Sequence, residues 1–186
     1  MNEGSCAPDG SFFCGSMSYD TVPGAGTLYR LDPEGKVTVA LGGVTISNGI
    51  GWSPDGSTTY YVDTPTQRID AFDYAEGILS ARRTVVHVDP RKGAPDGLAI
   101  DSEGGLWVAL WGGGAIHHYT CDGTLADIIE LPVPRVTSCM FGGRELDELY
   151  ITTSRLDTDL DAHPEAGALF RASHMVPGMP TLPYSG

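Results

Sequence analysis

The sequence is poor in basic residues and in long apolar runs, and each shortage excludes a class of protein. Eleven lysines and arginines stand against 24 aspartates and glutamates, which gives a net charge of -13 at pH 7. Such a charge repels phosphate backbones and anionic membrane surfaces, so we expect neither nucleic acid nor a membrane as a partner. No segment approaches the ~18 apolar residues of a membrane span. The first residues also lack the basic and apolar stretches of a signal peptide.

Cysteine is scarce and is not arranged in pairs. The four cysteines include no Cys-x-x-Cys spacing, and three of them lie within or beside apolar runs. Disulfide frameworks and zinc sites normally show paired spacings. We therefore expect reduced, buried cysteines and a cytoplasmic protein. The four residues are Cys6, Cys14, Cys121 and Cys139.

A sustained 3.6-residue apolar rhythm is missing as well, which predicts almost no helix. The sequence contains instead short β-branched or aromatic runs, separated by clusters of proline, glycine, aspartate and serine. Four turn signals return in register with these runs: Pro8-Asp9-Gly10, Pro54-Asp55-Gly56, Ser102-Glu103-Gly104 and Phe141-Gly142-Gly143. The pattern is typical of a protein made of short antiparallel strands.

A polar motif recurs along the chain at near-constant spacing. The copies are Asn2-Glu3-Gly4, Ser47-Asn48-Gly49 and Pro95-Asp96-Gly97, with a degenerate fourth at Thr137-Ser138-Cys139. The spacings are 46 residues from Asn2 to Asn48, 48 from Asn48 to Asp96 and 42 from Asp96 to Ser138. A period in the forties is typical of β-propeller blades with four strands each. We predict an all-β fold in one partial propeller domain over residues 1–186, with repeats at about 1–43, 44–91, 92–133 and 134–186.

Five longer stretches occur in a fixed order along the chain. They are ISNGIGWSPDG (46–56), APDGLAID (94–101), LWVALWGG (106–113), TSCMFGG (137–143) and PEAGALF (164–170). These stretches resemble the senescence marker protein (regucalcin), gluconolactonase and luciferin-regenerating-enzyme-like family. The resemblance covers essentially the whole chain. It implies a six-bladed β-propeller that holds one divalent metal ion and hydrolyses sugar lactones.

The length of the chain differs from what the resemblance implies. Six blades at the observed period need roughly 270 residues, so we expect an N-terminally truncated fragment with about four blades. The expected missing part includes the first blades and a glutamate that is a metal ligand in the family. A propeller left open in this way exposes strand edges, which favours self-association through the open edge.

The resemblance also implies site residues by position. Asn48 and Asp96 match metal ligands, and Asp96 is the candidate to orient or deprotonate the attacking water. Three further positions match substrate-binding residues: Asn2, Glu3 (in place of an aspartate of the family) and Asp20. Amide and carboxylate oxygens are hard ligands, so we expect Ca²⁺, with Zn²⁺, Mn²⁺ or Mg²⁺ as alternatives. Taken singly, each motif has a structural alternative, because Asn-Gly and Asp-Gly pairs are turn signals.

The resulting expectation is a metal-dependent hydrolase that opens sugar lactones. Two alternatives stay open: a non-catalytic calcium-binding propeller, and an esterase or phosphotriesterase that uses the same metal. The adjacent His117 and His118 do not form a ligand pair in this interpretation, because neighbouring residues of a strand point to opposite faces. We expect them at the surface or in packing between blades.

Overall fold

The computed structural model describes residues 1–173 and 176–186, and antiparallel β-strands make up most of its regular structure. Two three-residue 3-10 helices, Thr64–Thr66 and Pro90–Lys92, interrupt fifteen strands. The predictions of an all-β fold and of almost no helix are therefore confirmed. Among the described residues, no helix has the length and apolar character needed to cross a membrane.

The chain divides into two compact units, and the first consists of Met1–His87 together with Pro180–Gly186. It contains two four-stranded sheets, each in simple chain order and antiparallel throughout. The first sheet comprises β1 (Gly4–Cys6), β2 (Phe12–Gly15), β3 (Gly26–Leu31) and β4 (Val37–Val44). The second comprises β5 (Ser47–Trp52), β6 (Thr58–Asp63), β7 (Arg68–Ala75) and β8 (Ile78–His87).

The second unit consists of Val88–Met179 and also contains two antiparallel sheets in chain order. Its first sheet comprises β9 (Ala94–Ile100), β10 (Leu106–Trp111), β11 (Ala115–Tyr119) and β12 (Leu125–Glu130). The other sheet has three strands within the described residues, β13 (Val136–Gly142), β14 (Glu148–Thr153) and β15 (Leu169–Ser173).

Each unit has its own apolar core, drawn from both of its sheets. In the first unit, the rings of Phe13, Trp52 and Tyr74 lie 5.6 to 6.1 Å apart by their centroids, in tilted or edge-on arrangements. In the second, the fully buried Trp107 meets Phe141 edge-on at 6.1 Å. Aromatic pairs of this geometry add to the stabilisation from buried apolar area. The strand alternation of the sequence therefore gives each unit an apolar core.

The final segment of the chain packs on the first sheet. The backbone N–H of Ser185 donates to the carbonyl of Gly10 at 3.0 Å, and the Tyr184 hydroxyl donates to the carbonyl of Asp32 at 2.9 Å. Residues 180–186 are thus part of the first unit although they follow the second unit in the sequence.

The predicted turns are confirmed, and the predicted burial of the cysteines is largely wrong. Gly10, Gly56, Gly104 and Gly143 have φ angles of 79°, 73°, 84° and 82°, which glycine adopts readily. The fourth turn begins only at Gly143, because Phe141 and Gly142 still pair with β14. All four cysteines are free, but of these Cys139 alone is fully buried. Cys121 is exposed because it lies in the turn between β11 and β12, outside any apolar strand face.

Candidate functional site

Asn48 lies inside a strand, at a β-bulge. In the pairing of β5 with β6, Ser47 lies opposite Asp63 and Ile50 opposite Tyr61, so two residues of β5 face one residue of β6. The side chain of Asn48 is buried, and its Nδ2 donates to the Thr64 hydroxyl at 2.9 Å. No donor in the described part of the chain reaches its Oδ1. The amide oxygen is therefore available as a hard ligand.

Asp63 and Tyr61 hold the backbone that leads into Asn48. The buried carboxylate of Asp63 accepts from the backbone N–H groups of Thr45 and Ile46 at 3.1 and 2.9 Å. The Tyr61 hydroxyl donates to Ser47 Oγ at 2.6 Å, and burial raises the pKa of Tyr61, which keeps this donor protonated. The sequence analysis missed Asp63. Its signal was an acid at the end of an otherwise apolar strand, TTYYVD.

Asn2 and Glu3 lie in the same unit as Asn48. The side-chain Nδ2 of Asn2 donates to the carbonyl of Ser47 at 2.7 Å, and its backbone N–H donates to Gly15 at the same distance. Asn2 is therefore tied to the residue that precedes Asn48. Burial raises the pKa of the Glu3 carboxyl, and this desolvation acts alone. The structure thus brings Asn2 together with the Asn48 strand.

Asp20 lies elsewhere, at the exposed tip of the loop between β2 and β3. The loop is shaped by Ser18, whose hydroxyl accepts from the backbone N–H of Val22 at 2.8 Å, and by Thr21 at a φ of 49°. Within the described chain, no hydrogen bond or ion pair links the Asp20 side chain to Asn2 or Asn48. Asp20 is therefore not brought into the same contact network.

Asp96 occupies a bulge of the same kind in the second unit. Leu98 lies opposite Val108 and Pro95 opposite Leu110, so Asp96 and Gly97 together face Ala109 alone. Asp96 is half-buried. Gly97 abuts Ser138 so closely that a Cβ atom would overlap the serine side chain. The Asn-Gly and Asp-Gly motifs are thus strand bulges, and the turn alternative does not describe them.

The two adjacent histidines point to opposite faces of β11, as strand geometry requires. His118 stacks on Trp107 at a centroid distance of 4.0 Å, with its Nε2 3.3 Å from a carboxylate oxygen of Asp101. His117 is buried on the other face, with its Nδ1 2.9 Å from the Tyr119 hydroxyl. His118 therefore serves packing.

The donor chemistry of the candidate residues fits a hard divalent cation. Among the described residues, no cluster of three or more His, Cys, Asp or Glu side chains is arranged to hold a metal ion. The unengaged amide oxygen of Asn48 and the half-buried carboxylate of Asp96 are nevertheless oxygen donors of the type that Ca²⁺ and Mg²⁺ prefer.

Comparison with known proteins establishes the family. Residues 1–155 match the family described as SMP-30/Gluconolactonase/LRE-like region. The chain belongs to this family. Regucalcin of Danio rerio is 40% identical over 195 aligned residues, which cover all of this chain and 66% of the zebrafish protein. The chain thus spans about two thirds of the length of this family relative.

Solved structures of the family agree with the fold. A calcium-binding regucalcin from Agrobacterium tumefaciens superposes with a TM-score of 0.94 at 32% identity, over 98% of this chain and 64% of that protein. A gluconolactonase from Xanthomonas campestris gives a TM-score of 0.72 at 25% identity, over 96% and 57% of the two chains. The fold is that of a partial relative of the six-bladed propeller of the SMP-30 family, as predicted.

Proposed function

We propose that this chain is a metal-dependent hydrolase that opens sugar lactones. Membership of the gluconolactonase family supports lactonase-type chemistry in general. The observation that carries the proposal is that Asn48 and Asp96 occupy equivalent bulges, each in the first strand of a four-stranded sheet. A bulge turns a polar side chain out of the regular pleat without ending the strand, and bulges are common next to active sites.

We assign metal ligation to Asn48 and Asp96 and the catalytic proton transfer to Asp96. The description of the Agrobacterium relative as calcium-binding supports Ca²⁺ as the ion. A bound divalent cation would polarise the lactone carbonyl and lower the pKa of a bound water. Asp96 accepts the proton of the attacking water as the new carbon–oxygen bond forms. The ring carbon–oxygen bond then breaks, and the leaving ring oxygen takes that proton from Asp96, which regenerates the carboxylate.

We assign substrate binding to Asn2, Glu3 and Asp20. The Nδ2 of Asn2 is held by Ser47, which orients the amide and leaves its Oδ1 to accept from a sugar hydroxyl. Glu3 lies next to Asn2, and its carboxyl oxygens can accept hydrogen bonds from further sugar hydroxyls. Asp20 is an exposed acid on the ten-residue loop between β2 and β3, where its carboxylate can accept hydrogen bonds from sugar hydroxyls.

Hydrolysis of glucono-1,5-lactone by the purified chain tests this function. After chelation we expect no enzymatic turnover, and we expect Ca²⁺ to restore it, with Zn²⁺, Mn²⁺ and Mg²⁺ compared at equal concentration. Asp96→Asn should lower kcat at least ~100-fold, because a positioned general base typically contributes 10²–10⁴-fold. The matched control is Asp122→Asn, an exposed turn acid of the same unit. Unchanged turnover in Asp96→Asn would remove Asp96 from the mechanism.

A second candidate is calcium binding without catalysis, which the description of the Agrobacterium protein favours. Calcium binding measured by titration calorimetry, with no lactone turnover from a folded and monodisperse sample, would establish it. Turnover of aryl esters in preference to aldonolactones would instead indicate an esterase. The four free cysteines support a reducing, cytoplasmic setting for either function.

A further inference from the structure

A cleft of about 400 Å³ opens in the second unit beside the sheet β9 to β12. Its walls bring together residues that are far apart in the sequence: Lys92 before β9, His117 on β11 and His163 in the loop after β14. The glycine turn 112–114 and Glu130 complete the polar part of the lining. The volume lies in the range of small-molecule sites, ~300–1,000 Å³.

Lys92 gives the cleft a positive charge within a chain whose net charge is -13. In the part of the chain that the structure describes, Lys92 takes part in no salt bridge. Glu130 is the acid on the wall, and it is exposed at the end of β12. An ammonium group in this position complements a ligand with a single negative charge.

The two imidazoles supply further hydrogen-bonding groups. Burial, and then the charge of Lys92, lowers the pKa of His117, so this ring is neutral at pH 7. Its Nδ1 faces the Tyr119 hydroxyl, whose pKa burial raises to about 12. The carbonyl of Pro132 can only accept, so the Nδ1 of His163, 3.2 Å from that oxygen, carries a proton and is the donor of this hydrogen bond.

One cation beside the hydrogen-bonding imidazoles of His117 and His163 matches one carboxylate on a chain of hydroxyl groups. A phosphate dianion carries two charges against the single cation of the lining, and a neutral sugar makes no charge-assisted hydrogen bond with Lys92. We propose that this cleft binds a sugar acid, a monoanionic polyhydroxy carboxylate, through Lys92, His117 and His163. The choice of a sugar acid rests on the proposed function in one respect, since lactone opening releases this class of product.

Titration calorimetry on the full chain tests the proposal, with gluconate as the probe in the presence of a chelator at pH 7. Glucose, acetate and inorganic phosphate are the comparison ligands. We expect gluconate to bind at least ~10-fold more tightly than each of them, and Lys92→Gln to weaken gluconate at least ~10-fold through loss of a charge-assisted hydrogen bond. The control is Arg91→Gln, which removes the charge next to Lys92 in the sequence. Arg91 is exposed, pairs with Asp89 and does not line the cleft. We expect it to bind gluconate like the parent chain.

His163→Asn provides a second test that does not disturb the buried part of the cleft, and it should weaken gluconate but not acetate. Equal gluconate affinity in Lys92→Gln and the parent chain would overturn the proposal, as would no binding at millimolar gluconate. Tighter binding of phosphate than of gluconate would overturn the assignment to a sugar acid. Gluconate binding by a chain without lactone turnover would uphold the cleft and refute the proposed function. Lactone turnover without gluconate binding would uphold the proposed function and refute the sugar-acid site in the cleft.

Discussion

Glu3 is a carboxyl group whose ionised form is disfavoured by burial. The pKa of this carboxyl is raised in the folded chain. The stabilisation that the protonated carboxyl gives the fold is therefore fully present below the pKa of the unfolded chain, and it is lost as the pH rises through the pKa of the folded chain. At pH 7 the ionised group therefore weakens the fold. We expect Glu3→Gln to raise the Tm of the metal-free chain by roughly 2–4 °C at pH 7 and to leave it unchanged near pH 4.

The control for this prediction is Glu34→Gln, at an exposed position of the same unit. Thermal unfolding followed by circular dichroism at both pH values is the measurement. A Tm gain of equal size at pH 4 would show that the effect of Glu3→Gln does not come from the charge.

Asp101 is a buried carboxylate that has several donors in its environment. It accepts from the backbone N–H groups of Glu103 and Gly105 at 3.0 and 2.8 Å and from the indole N–H of Trp107 at 2.9 Å. We expect Asp101→Ala to lower the free energy of unfolding by ~2–4 kcal/mol, because these buried donors lose their acceptor. Urea denaturation measures the loss.

The matched control is Asp122→Ala, in the turn between β11 and β12. Asp122 accepts from the backbone N–H of Thr124 at 3.1 Å but is exposed, so water replaces the lost acceptor. A loss of stability in Asp101→Ala no larger than in Asp122→Ala would contradict the structural role of Asp101.

At the scale of strands, the sequence pattern predicts most elements well and their pairing details poorly. Ala115–Tyr119 has the bounds that the apolar run indicates. β12 begins at Leu125, three residues before the apolar pair Ile128–Ile129, because pairing of Leu125 with Tyr119 extends the ladder. The bulges at Asn48 and Asp96 could not be predicted, since a bulge is defined by the register of the partner strand.

In the candidate sites, too, local sequence motifs could be predicted, whereas residues that only the fold brings together could not. The sequence predicts Asn48 and Asp96 as site residues through motifs that are local in sequence. The cleft was not, because Lys92, His117 and His163 come from three separate segments and no local spacing connects them. Strand alternation did separate His117 from His118 correctly, but only the structure shows which of the two faces a cleft.

Gly97 in β9 is required by the close approach of β13. An added Cβ would overlap the side chain of Ser138, so we expect Gly97→Ala to cost ~1–3 kcal/mol of unfolding free energy through overpacking. The double variant Gly97→Ala with Ser138→Gly should recover part of the loss. The control is Gly42→Ala in β4, where a Cβ meets no atom within 4 Å. Destabilisation of Gly42→Ala to the same degree, measured in urea, would refute the packing argument.

At the scale of the whole molecule, metal binding is expected to stabilise the folded chain. A ligand that binds only the folded state adds ~2.7 kcal/mol to the free energy of unfolding at 100 times its Kd. We expect Ca²⁺ to raise the Tm of the parent chain and to have no such effect on Asn48→Ala or Asp96→Asn. Asp122→Asn is the control that keeps the response. A Ca²⁺-dependent Tm shift of full size in both site variants would place the ion elsewhere.

The packing of residues 180–186 on the first sheet imposes an order on folding during synthesis. The second unit is continuous in sequence, so the ribosome has delivered all of it once residue 179 is made. The first unit is made earlier, yet it lacks the contacts of Tyr184 and Ser185 until seven further residues have followed. Of these two units, the one that begins earlier in the sequence is therefore the one that is completed later.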